Sequence, residues 1–87
     1  MSDTSSDGRF SGRVVAITGS ATGIGRATAI RFASEGAVVA CLDIEQEENE
    51  ATAADASALG VQTIAIACDV RSHADQEAAI AAIVEQW

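Results

Sequence analysis

At 87 residues the chain has room for one small domain, and a domain of that size is stable only if a thin core is well packed. Hydrophobic residues supply 48% and charged residues 21%, a globular balance and not a disordered one, while aromatics at 3% leave the core few large anchors. The formal net charge is −8 and the five cations are all Arg, so the surface repels nucleic acid and anionic lipid and excludes both as partners.

Residues 1–11, rich in Ser and Asp, read as a flexible N-terminal arm, and 12–87 as one domain. Met1 to Gly8 has no apolar core and is not a signal peptide. No apolar run approaches the ~20 residues that a membrane span needs, which makes the cytoplasm the default location. Cys41 and Cys68 lie far apart, fit no metal spacing and read as small buried side chains in a reducing compartment.

The run from Arg13 to Thr18 is short and β-branched, bounded by Gly12 and Gly19, and predicts a buried parallel strand. A glycine-rich turn leads into a helix over 24–35. One face of that helix, Gly25, Ala29, Phe32 and Ala33, is small at its start and bulky at its end, and Gly36 supplies a left-handed stop. A second strand follows over 37–43, then a helix over 45–59 whose first turn carries Glu45, Glu47 and Glu48 at the positive end of its dipole. Its apolar face is mostly Ala, and Asn49 reads as part of its surface. A third strand spans 61–67. Ser72 with Asp75 resembles a capping box, opening a helix that bears Ile80, Ile83, Val84 and Trp87 on one face. His73 in its first turn reads as a surface residue. Strands alternating with helices predict an α/β fold with a parallel sheet and right-handed crossovers.

The turn reads Thr18-Gly19-Ser20-Ala21-Thr22-Gly23-Ile24-Gly25. Gly19 lets the chain leave the strand sharply, Gly23 removes a Cβ where a pyrophosphate approaches, and Gly25 lets the helix lie close. The unpaired N–H groups of the helix start then face the phosphates. Lacking Gly-Lys-Ser/Thr, the turn is not a P-loop. The candidate cofactor contacts here are Gly19, Ser20, Thr22, Gly23, Ile24 and Gly25, and Arg26 either approaches a phosphate or is a solvated helix residue. Asp43 ends the second strand where an adenosine ribose would lie, with Ile44 beside it. A carboxylate there accepts from both ribose hydroxyls and repels a 2′-phosphate. Two unit charges ~4 Å apart cost ~4 kcal/mol at an effective dielectric near 20, so NAD is expected to bind in preference to NADP. Asp43 as a cap of the second helix is the other reading. Asp69 and Val70 follow the third strand, where Asp69 either accepts from an adenine amino group with Val70 over the ring or is a strand-end carboxylate facing water. The sequence offers no metal site.

Together these residues resemble the short-chain dehydrogenase/reductase family. The carriers are Thr18-Gly-x-x-x-Gly-Ile-Gly25, Asp43 and Cys68-Asp69-Val70, with Phe10-Ser-Gly-Arg13 leading in. The resemblance runs from about residue 9 to the last. It implies a Rossmann fold with strand order 3-2-1-4-5-6, a nicotinamide cofactor, and hydride transfer to or from an alcohol or carbonyl. It implies pyrophosphate contacts at Gly19, Gly23, Ile24 and Gly25, NAD selection by Asp43, and adenine contacts at Asp69 and Val70. The family's chemistry uses a Tyr-x-x-x-Lys pair with a Ser, and this chain has no Tyr and no Lys. The expectation is therefore the βαβαβα half of the fold, cut before its fourth strand. It would bind NAD but not catalyse, with the first strand an open edge prone to self-association, and would be a homo-oligomer at full length. A standalone dinucleotide-binding or interaction module is the alternative.

Overall fold

The computed structural model describes residues 10–87. Six elements alternate in chain order: β1 (Val14–Thr18), α1 (Gly23–Ser34), β2 (Val38–Asp43), α2 (Gln46–Ser57), β3 (Thr63–Ala67) and α3 (His73–Gln86). The three strands form one parallel sheet in the order β1-β2-β3. The expected βαβαβα architecture is the one found. Of the expected N-terminal arm, residues 1–9 lie outside the described residues. Phe10 does not fit that reading: its N–H donates to the Glu35 carbonyl (2.8 Å) and its ring meets Phe32 edge-on at 5.0 Å.

The helices divide between the two sheet faces. On one, Ala29 and Ala33 of α1 and Ala53 and Ala56 of α2 pack on Val39 and Cys41 of β2, with Val15, Ile17 and Ala65 at the margin. Small residues suit this face because two helices lie side by side on a narrow sheet. On the other face Ala79 of α3 packs on Ala40 and Leu42, joined by Ile64, Ile66, Ile83 and Trp87. Trp87 is the anchor its spacing predicts, and its indole N–H donates to Gln62 Oε1 (2.6 Å). Ile80 and Val84, expected on the same apolar face, are instead 61% and 71% exposed.

β2 is buried along its centre, as a strand paired on both sides and covered on both faces must be. β1 is the open edge expected of it, and the buried pattern read from its β-branched run holds on one face alone. Among the described residues β1 is an edge strand, with Val15 and Ile17 turned toward the helices and Val14, Ala16 and Thr18 exposed. Its β-branched composition reports a surface that accepts cover, and only one of its faces receives any.

The helix ends follow local chemistry. Gly36 takes φ 88° beyond α1, the left-handed stop expected of it. Ser72 caps α3, its Oγ accepting from the Asp75 N–H (3.2 Å). The reciprocal half of a capping box is missing, because the Asp75 carboxylate turns to the Asp69 N–H (3.0 Å) and ties the end of β3 to α3.

Candidate nucleotide-binding site

The carboxyl ends of the three parallel strands converge on one rim, and the turn from β1 into α1 is built there. Gly19 leaves β1 at φ 66° and Gly23 opens α1 at φ 61°, both in the left-handed region. A Cβ on Gly25 would overlap the Gly19 carbonyl, so helix and turn come this close only because that position is bare. The sequence reading gave Gly25 the task of bringing the helix near the sheet; the contact it permits is with the turn itself.

Thr22 is the N-cap of α1 but makes no side-chain cap. The first backbone bond at this end runs from the Arg26 N–H to the Thr22 carbonyl (3.3 Å). The N–H groups ahead of it and the positive end of the helix dipole therefore face outward beside Gly23, where a Cβ would meet nothing within 4 Å. The α3 start, capped by Ser72, has no such opening. Ile24 beside it is 87% exposed. These features fit an anionic diphosphate.

Asp43 joins the turn to the next helix. Its Oδ2 accepts from the Ala21 N–H (2.9 Å) and its Oδ1 from the Glu45 N–H (2.8 Å), just ahead of α2. The two readings of Asp43, helix capping and ribose binding, are compatible, because each carboxylate oxygen has a second lone pair. Beside it lies a cleft of about 280 Å³, lined by Gly19, Asp43, Ile44 and the segment 68–71. The fold thus gathers Gly19, Asp43, Ile44, Asp69 and Val70 around one space, while Thr22, Gly23, Ile24 and Gly25 lie along the adjoining helix start. Cys68 is buried against the same cleft, and burial, with Asp75 and Asp69 adding to it, pushes its thiol pKa up. His73 is exposed, as expected. Among the described residues no cluster of His, Cys, Asp and Glu could hold a metal ion.

Four residues depart from the sequence reading or escaped it. Arg26, a candidate phosphate contact, turns away to α2, where it pairs with Asp55 and donates to Thr52 Oγ1 (3.0 Å). Ser20 belongs to the turn, yet its side chain is fully buried and aims inward, donating to Asn49 Oδ1 (2.5 Å). Asn49 is not on the surface of α2: it is fully buried, with Nδ2 donating to the Cys41 carbonyl (2.8 Å). Arg71 was not singled out, but it lines the cleft. Its Nε and Nη2 donate to the two Asp69 oxygens (3.1 and 3.0 Å), and with its own N–H on Oδ1 (2.9 Å) it holds the Asp69 carboxyl below the usual carboxylate range. A signal for Asn49 was present: Asn49, Thr52, Ala53 and Ala56 fall at i, i+3, i+4 and i+7, one stripe of α2.

A family model described as short chain dehydrogenase matches residues 13–87. The chain is 43% identical over 79 residues to a sorbitol dehydrogenase of Cereibacter sphaeroides, covering 91% of this chain and 30% of that protein. It is 40% identical over 81 residues to a levodione reductase of Leifsonia aquatica, again covering 91% of this chain and 30% of that protein. A crystal structure of a hydroxysteroid dehydrogenase from Escherichia coli superposes with TM-score 0.88 at 31% identity, over 95% of this chain and 35% of that one. The chain spans about 30% of the length of the curated relatives it matches.

Proposed function

The chain belongs to the short-chain dehydrogenase family, whose members bind nicotinamide dinucleotide cofactors, and from that premise we propose that its rim holds the adenosine-diphosphate half of NAD. The observation that carries the reading is the convergence of Gly19, Asp43, Ile44, Asp69 and Val70 on one cleft beside an uncapped helix start. The diphosphate lies along the turn from Gly19 to Gly25, with Ser20 and Thr22 contributing main chain. The ribose hydroxyls donate to Asp43, and adenine lies between Ile44 and Val70 with its amino group toward Asp69. When bound, the nicotinamide of such a cofactor gives or takes a hydride. The residues present here bind and orient the nucleotide, and they include no Tyr and no Lys to move the accompanying proton. In the whole protein this segment would serve an oxidoreductase acting on an alcohol or carbonyl; the 87 residues by themselves bind without turnover.

NAD is favoured over NADP because a 2′-phosphate would approach the Asp43 carboxylate. Titration of the 87-residue chain with both cofactors tests this. NAD is expected to bind about tenfold more tightly, since ~1.4 kcal/mol of the repulsion is enough. Asp43→Asn keeps the side chain's size, removes its charge and is expected to close the gap. Equal binding of the two cofactors by the wild-type chain would overturn the preference.

A second reading concerns association. The open β1 edge and its exposed Val14 favour pairing between copies of this chain, and sedimentation that rises with concentration is expected. Two free, buried cysteines fit a reducing compartment such as the cytoplasm.

A further inference from the structure

The buried amide of Asn49 belongs neither to the apolar core nor to the cleft. Burying an amide is costly unless its groups are paired. Its Nδ2 donates to the Cys41 carbonyl of β2 (2.8 Å), with the Gln46 side chain (3.4 Å) and the Ile66 carbonyl of β3 (3.5 Å) farther off. Acceptors at one end fix the amide's orientation, and Oδ1 must then face the turn, where the Ser20 hydroxyl donates to it at 2.5 Å. The same hydroxyl lies 3.3 Å from the Leu42 carbonyl, and it also meets the Cys41 thiol. Asn49 thus ties two adjacent strands to the residue between Gly19 and Ala21.

We propose that Asn49, acting through Ser20, is a positioning residue for the diphosphate-binding turn, holding its main chain in the conformation that receives phosphate. This rests on the reading of the turn given above. Neither side chain lines the cleft beside Asp43 and Asp69. The link therefore affects recognition of the diphosphate and leaves recognition of the nucleoside nearly untouched, a separation that a merely structural role would not produce.

The test is titration of the 87-residue chain with adenosine and with ADP, followed by ligand-observed NMR. The variants are Ser20→Ala, Asn49→Asp and the double variant, with an amide spectrum of each to show its fold. Asn49→Asp is isosteric and keeps an oxygen toward Ser20, but it faces the Cys41 carbonyl with an acceptor in place of the Nδ2 donor, so the link to the turn loses its anchor on β2. Each single variant is expected to weaken ADP binding about tenfold, the effect of one lost buried hydrogen bond, with adenosine binding within about twofold of wild type. The double variant should lose no more than the worse single, because both residues act through one link. Should Asn49→Asp fail to fold, Ser20→Ala decides alone. Unchanged ADP binding overturns the proposal, and so does an equal loss for ADP and adenosine. A wild-type chain that binds neither ligand overturns the reading of the site itself, a failure distinct from the other two.

Discussion

The two faces of the sheet solve the same problem with different success. The face under α1 and α2 is closed: Val39, Cys41, Ala29 and Ala56 are almost wholly buried, and the polar residues of α2 that point inward find partners. The face under α3 has one helix for three strands, so Leu42 and Ala79 are covered while Val14, Ile80 and Val84 remain exposed. A parallel sheet normally carries cover on both sides. The glycine-rich turn belongs to the closed side: it is braced by α2 through Asn49 and Thr52. The Asp69 end of the cleft leans on the thinner side, through the Asp69 N–H and the Asp75 carboxylate.

The sharpest way to break this comparison is Gly25→Ala. Its Cβ meets the Gly19 main chain, which has no flexible end to move aside, and the loss is expected to reach about 3 kcal/mol in chemical denaturation. Val39→Ala, at the fully buried centre of the closed face, should cost about 2 kcal/mol. Ile80→Ala removes more carbon from the open face yet should change stability by less than about 0.5 kcal/mol. Equal losses from these two variants would erase the distinction between the faces.

A smaller effect follows from Arg71. Its guanidinium depresses the Asp69 carboxyl in the folded chain, so the stabilisation from this pair is present above the unfolded value, near 3.9, and is lost as pH falls through the lower folded one. Arg71→Ala should move the Asp69 titration, read by NMR, up toward the ordinary carboxylate range and lessen that acid sensitivity, while the main-chain N–H at position 71 goes on lowering it. Smallest in consequence are the thiols. Burial raises both Cys41 and Cys68, against a partial lowering at Cys41 by the Ser20 hydroxyl. Both should react with iodoacetamide at neutral pH far more slowly in the folded chain than in denaturant.

Much of this was legible in the residues. Hydrophobic period and glycine placement specify the six elements, because strands and helices differ in period and a left-handed turn all but demands Gly. Asp43 was legible because the end of a parallel strand is a fixed place relative to the turn before it. Asn49 was legible only as a member of the stripe it shares with Thr52, Ala53 and Ala56; its role was not, because an amide in an acidic helix reads as solvated until the partners that satisfy it are in place. The open β1 edge was legible from the expected strand order, whereas the β-branched run by itself shows only that cover is tolerated and says nothing about whether any arrives. Arg71 was missed because its effect depends on a fork-shaped fit to a residue two positions away, which spacing alone does not reveal.

The strand register has a kinetic consequence. Val14 lies opposite Val38 and Val39 opposite Thr63, a spacing of 24 residues in both cases. Two loops of equal length carry the same closure entropy, and both close on β2. Neither crossover has a head start from chain length, so the order of assembly falls to the contacts each one makes on closing. The β1–α1–β2 crossover brings Val15, Ile17, Ala29 and Ala33 onto β2, whereas β2–α2–β3 must also seat the Asn49 amide among main-chain carbonyls. The first should lead. Substitutions at Ala29 should then slow folding, and those at Asn49 should chiefly hasten unfolding.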